Sequence, residues 1–218
     1  MNLPNTLTLA RIFLVPLLVA VLVQQNFSFG WSDQPIANEF LALIIFLAAA
    51  ATDLLDGYLA RRWGQVTTVG TLLDPIADKL LVSSALIALV EIHRVPAWMV
   101  ILIVGREFAV SGLRSIAAAE GYTIEASELG KTKMAVQVVA IALVMVSIHY
   151  PAWTQAAMIC MWGVMIFAML SALDYFRKFW RRVDDKVKLR RRRELLRAER
   201  LRQRRDRAAR TALNPKAG

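Results

Sequence analysis

Four aspartates are the residues of this sequence best placed to do chemistry. Asp53 and Asp56 stand three apart, and Gly57, Ala60 and Arg61 follow at offsets of four, seven and eight from Asp53. On a helix those offsets fall on one face. Asp74 and Asp78 stand four apart, again on one helical face, with Pro75 suited to the first turn of that helix. Gly70 reads as part of the loop between the two helices. A short loop makes them antiparallel neighbours, so the two carboxylate pairs can converge. Carboxylate oxygens with no histidine or cysteine nearby suit a hard cation, Mg²⁺ or Mn²⁺, rather than Zn²⁺. Mg²⁺ held by few carboxylates keeps positions for substrate phosphates, and two such ions can clamp a diphosphate. One acid pair alone would be an ordinary solvated helix face. Four acids at adjoining helix ends, beside Arg61 and with Gly57 and Gly70 clearing space, make a candidate metal and phosphate site.

The elements that must position these acids are apolar. The chain has 218 residues and is 57% hydrophobic, where soluble domains run at about 45–50%. The excess lies in six runs, 3–23, 37–60, 75–90, 96–119, 133–148 and 152–176. A helix of about 20 apolar residues spans a bilayer, and most runs lack the polar stripe of a half-solvated helix. The expected fold is therefore all-α, a polytopic membrane protein with six transmembrane helices. Its expected organisation is a catalytic domain over 1–180 and a basic tail over 181–218. From Arg177 onward there are 18 Lys/Arg against 5 Asp/Glu, so the body of a chain whose net charge is +10 is mildly acidic. Arg61, Arg62, Arg114, Lys131 and Lys133 fall in alternate loops with the tail, and the segment 24–38 has no Lys or Arg. The bias of basic residues toward the cytoplasm then puts both termini inside. The N-terminus does not read as a signal peptide, because its first cation, Arg11, lies inside the apolar stretch. Cys160, the only cysteine, has no partner for a disulfide or a metal pair. The tail reads as a solvated helix, as a surface for anionic lipid, or as both. Nucleic acid is not expected, since no aromatic lies beyond Trp180 for bases to stack on.

The run Asp53-Leu-Leu-Asp56-Gly57-Tyr-Leu-Ala60-Arg61, then Gly70, Asp74 and Asp78, resembles the signature of the CDP-alcohol phosphatidyltransferase family, D-x2-D-G-x2-A-R-x8-G-x3-D-x3-D, at every position. The resemblance extends over about 180 residues and leaves the tail outside. It implies six membrane helices, a location in the inner membrane, a homodimer, and a CDP-linked alcohol as donor, most often CDP-diacylglycerol. It implies that Asp53, Asp56, Asp74 and Asp78 are metal ligands, with Asp78 also the general base. Gly57 would let the nucleotide approach the backbone, Arg61 would contact the diphosphate, and Ala60 and Gly70 complete the signature. Thr67 falls where the family has a small hydroxyl residue near the nucleotide. Asn5 and Thr8 resemble the stretch before the first span that lines the same pocket, although alone they are ordinary helix-start residues.

The signature leaves the acceptor open. Arg106, Arg114, Lys131 and Lys133 are cations near the inner ends of the fourth and fifth runs. Arginine suits bidentate phosphate binding and lysine supplies a point charge. The set points to an anionic, phosphate-bearing acceptor; for Lys131 and Lys133 the alternative is ordinary loop charge. Glu107 is adjacent to Arg106 but on a different azimuth, which leaves Arg106 in need of a partner. The stretches 105–114 and 130–137 are similar to those of family members that transfer to sn-glycerol 3-phosphate. Inositol phosphate or phosphatidylglycerol as acceptor stays open, and so does a cation transporter built on the aspartates. His93 and His149 fall in outer turns, and Gln137 is a polar residue within the fifth run that could face a cavity.

Overall fold

The structure is a computed structural model. It describes the backbone of residues 3–24, 36–63, 68–121 and 129–213, and the side chains of 6–24, 38–52, 76–121 and 134–182 with Lys188, Arg192, Leu195 and Leu196. The described residues form six α-helices: α1 (Leu3–Val23), α2 (Ile36–Trp63), α3 (Thr68–Glu91), α4 (Ala97–Ala119), α5 (Leu129–His149) and α6 (Thr154–Leu213). One 3₁₀ turn, Pro151–Trp153, links α5 to α6. Helices keep every backbone hydrogen bond within the segment, which hydrocarbon surroundings demand. Proline is tolerated there more readily than in water-soluble helices, and Pro16 lies inside α1.

α1 packs on α2 and α3, while α6 packs on α4 and α5; α2 with α5, and α3 with α4, join the two groups. Small residues at the contacts let the backbones approach closely. Ala42 and Ala49 of α2, Ala85 of α3, Ala140 of α5 and Ala168 of α6 are all fully buried. Between them sit Leu18, Phe46, Leu86, Leu89, Met99 and Ile141. The outward faces are equally apolar: Phe13, Ile101, Ile159 and Leu173 are each at least 67% exposed. Exposed apolar residues on this scale are incompatible with a free water-facing surface and fit a hydrocarbon solvent. By length and hydropathy, two stretches among the described residues suffice to cross a membrane, Thr6–Val23 and Pro151–Arg182. The shorter apolar stretches are Asn38–Thr52 and Met134–His149.

Several expected boundaries move. Gly70 lies inside α3, not in a loop, and Pro75 sits past the second turn rather than in the first. The link between α2 and α3 thus shrinks to residues 64–67, which lie outside the described residues. Both helices gain backbone bonds by extending, and that outweighs the weak helix preference of one glycine. Arg114 is within α4, and Lys131 and Lys133 are within the first turns of α5, so none of the three stands in a loop. α6 runs unbroken across the expected domain boundary at 180 and is roughly 90 Å long at 1.5 Å per residue.

α3 ends in a Schellman turn. His93 takes the left-handed conformation at φ 57°. Its N–H donates to the Val90 carbonyl at 2.9 Å, and the Arg94 N–H donates to that of Leu89 at 2.9 Å, the paired bonds of that motif. His149 packs edge-on to Tyr150 at 4.7 Å and against Phe40 at 5.8 Å. The start of α2 therefore meets the end of α5, at the end of the bundle away from the aspartates. Both histidines are accounted for by turn geometry and ring packing.

Candidate active site

The aspartates are placed by the α2–α3 hairpin. Asp53 lies ten residues before the end of α2 and Asp78 ten residues after the start of α3, so each is roughly 15 Å from the link. Asp56 and Asp74 lie seven and six residues from it, roughly 10 Å and 9 Å. On antiparallel neighbours these register positions match in height, Asp53 with Asp78 and Asp56 with Asp74. The side chains of Asp53, Asp56, Gly57, Ala60, Arg61, Gly70 and Asp74 lie outside the described residues, as do Asn5, Lys131 and Lys133, and Thr67 lies outside altogether. Among the described residues no group of three or more metal-ligating side chains forms, as expected when Asp78 is the only described member of the set. The four residues supply hard oxygen donors alone, and that chemistry fits a divalent cation of the Mg²⁺ type.

Asp78 has a partner that the sequence reading overlooked. Nη1 of Arg11 donates to Asp78 Oδ1 at 2.7 Å. The Arg11 side chain is wholly buried and that of Asp78 is 26% exposed. Arg11 sits in one of the two stretches among the described residues that are long and apolar enough to cross a membrane, where an isolated arginine costs about 2.5–3.5 kcal/mol on insertion scales. A carboxylate within bonding distance offsets that cost. Thr8, one turn earlier on the same face, is 1% exposed. The face of α1 that carries Thr8 and Arg11 is thus packed inward. The signal in the sequence was a charged residue inside an apolar run, which by itself calls for a buried partner and marks a functional candidate.

α4 carries two further cations, Arg106 and Arg114. Arg114 is exposed, with its guanidinium 5.9 Å from the centre of the Tyr175 ring. It is close enough to act electrostatically on Lys79 and on Arg106, and Lys79 in turn feels Asp78. Lys79 is a second residue the sequence reading missed, since it lies next to Asp78 in the chain and was read as part of an apolar run. Arg106 is buried and turned toward α6. Its Nε donates to the Ala168 carbonyl at 3.1 Å and its Nη2 to Ser171 Oγ at 2.8 Å. Its Nη1 pairs with Glu107 at 2.7 Å. The expectation that Glu107 points elsewhere is therefore corrected: both side chains are long enough to meet over the helix surface although their Cα atoms are successive. Ser115 closes on its own helix, donating to the Ser111 carbonyl at 3.1 Å. Gln137 is buried, and its Nε2 has no partner among the described residues.

The arrangement joins a partly exposed carboxylate to a buried arginine, with Lys79 next to it in the chain and Arg114 acting on Lys79. Such a set is suited to polyanions: carboxylates for a metal-bridged diphosphate, guanidinium and ammonium groups for a further phosphate.

Comparison with known proteins supports the same reading. The family model for CDP-alcohol phosphatidyltransferases matches residues 1–170. A Bacillus subtilis (strain 168) CDP-diacylglycerol–glycerol-3-phosphate 3-phosphatidyltransferase is 39% identical over 191 residues, covering 82% of this chain and 95% of that protein. Proteins of the same name from Rickettsia bellii and Salmonella choleraesuis are each 39% identical, over 65% of this chain and about three quarters of theirs. Among solved structures, the apo crystal structure of Mycobacterium tuberculosis phosphatidylinositol phosphate synthase superposes with a TM-score of 0.59, covering 82% of this chain and 90% of that one. At 16% identity that likeness speaks to the fold.

Proposed function

The chain belongs to the CDP-alcohol phosphatidyltransferase family, and from that premise we propose that it transfers the phosphatidyl group of CDP-diacylglycerol to sn-glycerol 3-phosphate, giving phosphatidylglycerophosphate and CMP. The observation that carries the acceptor is the 39% identity, over nearly the whole of the Bacillus protein, to an enzyme named for that acceptor. Lys79, which feels both Asp78 and Arg114, agrees with it, because such cations suit a phosphate-bearing acceptor and not a neutral alcohol.

Asp78 takes the proton of the acceptor hydroxyl as that oxygen bonds to the β-phosphorus and the bond to CMP breaks. Asp53, Asp56, Asp74 and Asp78 would hold divalent metal, Mg²⁺ or Mn²⁺ and two ions, which would supply charge stabilisation at the diphosphate. Arg61 contacts that diphosphate. Gly57 leaves room for the nucleotide at the α2 backbone, with Ala60, Thr67 and Gly70 around it and Asn5 and Thr8 closing it from α1. Arg114, Lys131 and Lys133 receive the acceptor phosphate. Arg106, already bonded to α6, stands behind them and adds its field.

All six helices cross the bilayer, both termini face the cytoplasm, and the membrane is the inner one. The support is the apolar outer faces together with the alternation of basic residues. Anionic lipid attracts about 1 kcal/mol per basic residue near the surface and only within a Debye length of about 8 Å. A helix that keeps the direction of its span leaves that layer in about six residues. Arg177, Lys178, Arg181 and Arg182 therefore carry the lipid attraction, ahead of the rest of the extension. A second copy of the chain completes the assembly.

An acceptor panel tests the reading. Purified protein with CDP-diacylglycerol and Mg²⁺ is offered glycerol 3-phosphate, inositol phosphate, serine and phosphatidylglycerol in turn, and CMP release is measured. Release that depends on glycerol 3-phosphate is expected. Release that depends on inositol phosphate instead would place the chain elsewhere in the family.

A further inference from the structure

We propose that Arg11 is a positioning residue for the transfer: its guanidinium fixes the plane of the Asp78 carboxylate and touches neither substrate. The inference rests on the reading above that Asp78 takes the acceptor proton. A carboxylate turns freely about its last torsion, whose preference is broad and roughly two-fold. A proton acceptor must instead hold one oxygen toward the reacting hydroxyl within hydrogen-bond reach. Nη1 of Arg11, at 2.7 Å from Oδ1, removes that freedom. Arginine is suited to this, since its planar fork is rigid and always charged.

The geometry explains why the group comes from α1. α2 and α3 carry the four acids. α1 packs on both helices and brings Arg11 in from the side, wholly buried, while Asp78 stays 26% exposed. The charge is thereby delivered behind the carboxylate and not into the substrate space. Arg11 also adds one buried positive charge to a site of four negative ones, so the hairpin does not depend on metal alone for its charge balance.

The test is a double-mutant cycle in the full-length protein in detergent. Arg11→Met, Arg11→Lys, Asp78→Asn and the double variant are measured for thermal midpoint and for kcat and KM with each substrate. Arg11→Met should lower kcat by about 10²-fold, the lower end of what positioned proton transfer contributes, with both KM values near wild type. Arg11→Lys should recover a large part of that loss, since an ammonium still reaches the carboxylate as a point charge. Asp78→Asn strands Arg11 in an apolar span and should lower the thermal midpoint, and adding Arg11→Met should restore it. In the double variant kcat should fall little below that of Asp78→Asn alone, because the two residues act as a unit.

Wild-type kcat in Arg11→Met, or losses that multiply in the double variant, would overturn the proposal. If Arg11→Met does not fold, Arg11→Gln decides in its place: a kcat well below that of Arg11→Lys with both KM values near wild type supports positioning, and a wild-type kcat in Arg11→Gln overturns it. Wild-type protein inactive with every acceptor would instead strike the functional reading, and the thermal cycle would still show whether the pair exists.

Discussion

Arg114→Ala separates the two substrates. The guanidinium is exposed and rests over the Tyr175 ring at 5.9 Å. An exposed cation–π contact contributes about 0.5–1 kcal/mol, so little stability is at stake. A charge-assisted bond to the acceptor phosphate is worth about 1.5–3 kcal/mol. At tenfold per 1.4 kcal/mol, the KM for glycerol 3-phosphate should rise about 10- to 150-fold, while the KM for CDP-diacylglycerol stays near wild type. Arg106→Ala is the control. It deletes two bonds to α6 and the part-buried pair with Glu107, and each lost bond of a charged group costs about 1.5–3 kcal/mol. Its main effect should be a lowered thermal midpoint. Saturation curves of CMP release against each substrate, with a melting curve for each variant, make the comparison. Equal changes in both KM values for Arg114→Ala would refute a dedicated phosphate pocket. A wild-type melting curve for Arg106→Ala would refute its structural role.

Three further outcomes are expected. Asp78→Asn should cut kcat by about 10²–10⁴-fold while CDP-diacylglycerol still binds with Mg²⁺, and equilibrium binding of a labelled nucleotide checks it; loss of binding would make Asp78 primarily a ligand. Asp53→Asn, Asp56→Asn and Asp74→Asn should each abolish turnover, and a chelator should do the same to wild-type protein with recovery on adding Mg²⁺ or Mn²⁺, as CMP release would show. Ala85→Leu, at a fully buried contact of α3, should overpack the bundle and cost about 1–3 kcal/mol, seen as a lower melting temperature with metal requirement unchanged.

Much of this was legible in the sequence, for reasons that differ by residue. The aspartate set is local: its members lie within 26 residues on two successive helices, so helical periodicity alone puts each pair on one helix face. The all-helical architecture follows from the apolar runs; of the six expected spans, two stretches among the described residues, Thr6–Val23 and Pro151–Arg182, are long and apolar enough to cross a membrane. Arg11 was visible as a charge in an apolar run, but its partner is 67 residues away, and no local rule names a partner at that distance. Gly70 was read as loop and Pro75 as a helix start because the preferences for those residues come from helices in water; a helix with no water to bond keeps its backbone pairs. Arg106 looked like a ligand for a phosphate, yet Ala168 and Ser171 of α6 hold it, and that packing is a tertiary fact. The unbroken run of α6 into its basic extension was hidden by a change of composition near Arg177 that altered the surroundings of the helix without ending it.

The central claim is the chemistry of the acceptor, and isotope transfer addresses it most directly. sn-Glycerol 3-phosphate labelled in its glycerol carbons is incubated with the purified protein, CDP-diacylglycerol and Mg²⁺, and the lipid extract is counted alongside CMP. The account predicts that label enters the lipid in an amount equal to the CMP released, in a product from which a phosphatase then frees inorganic phosphate. CMP released with no label in the lipid, or equal labelling with all four aspartates replaced by asparagine, would contradict it.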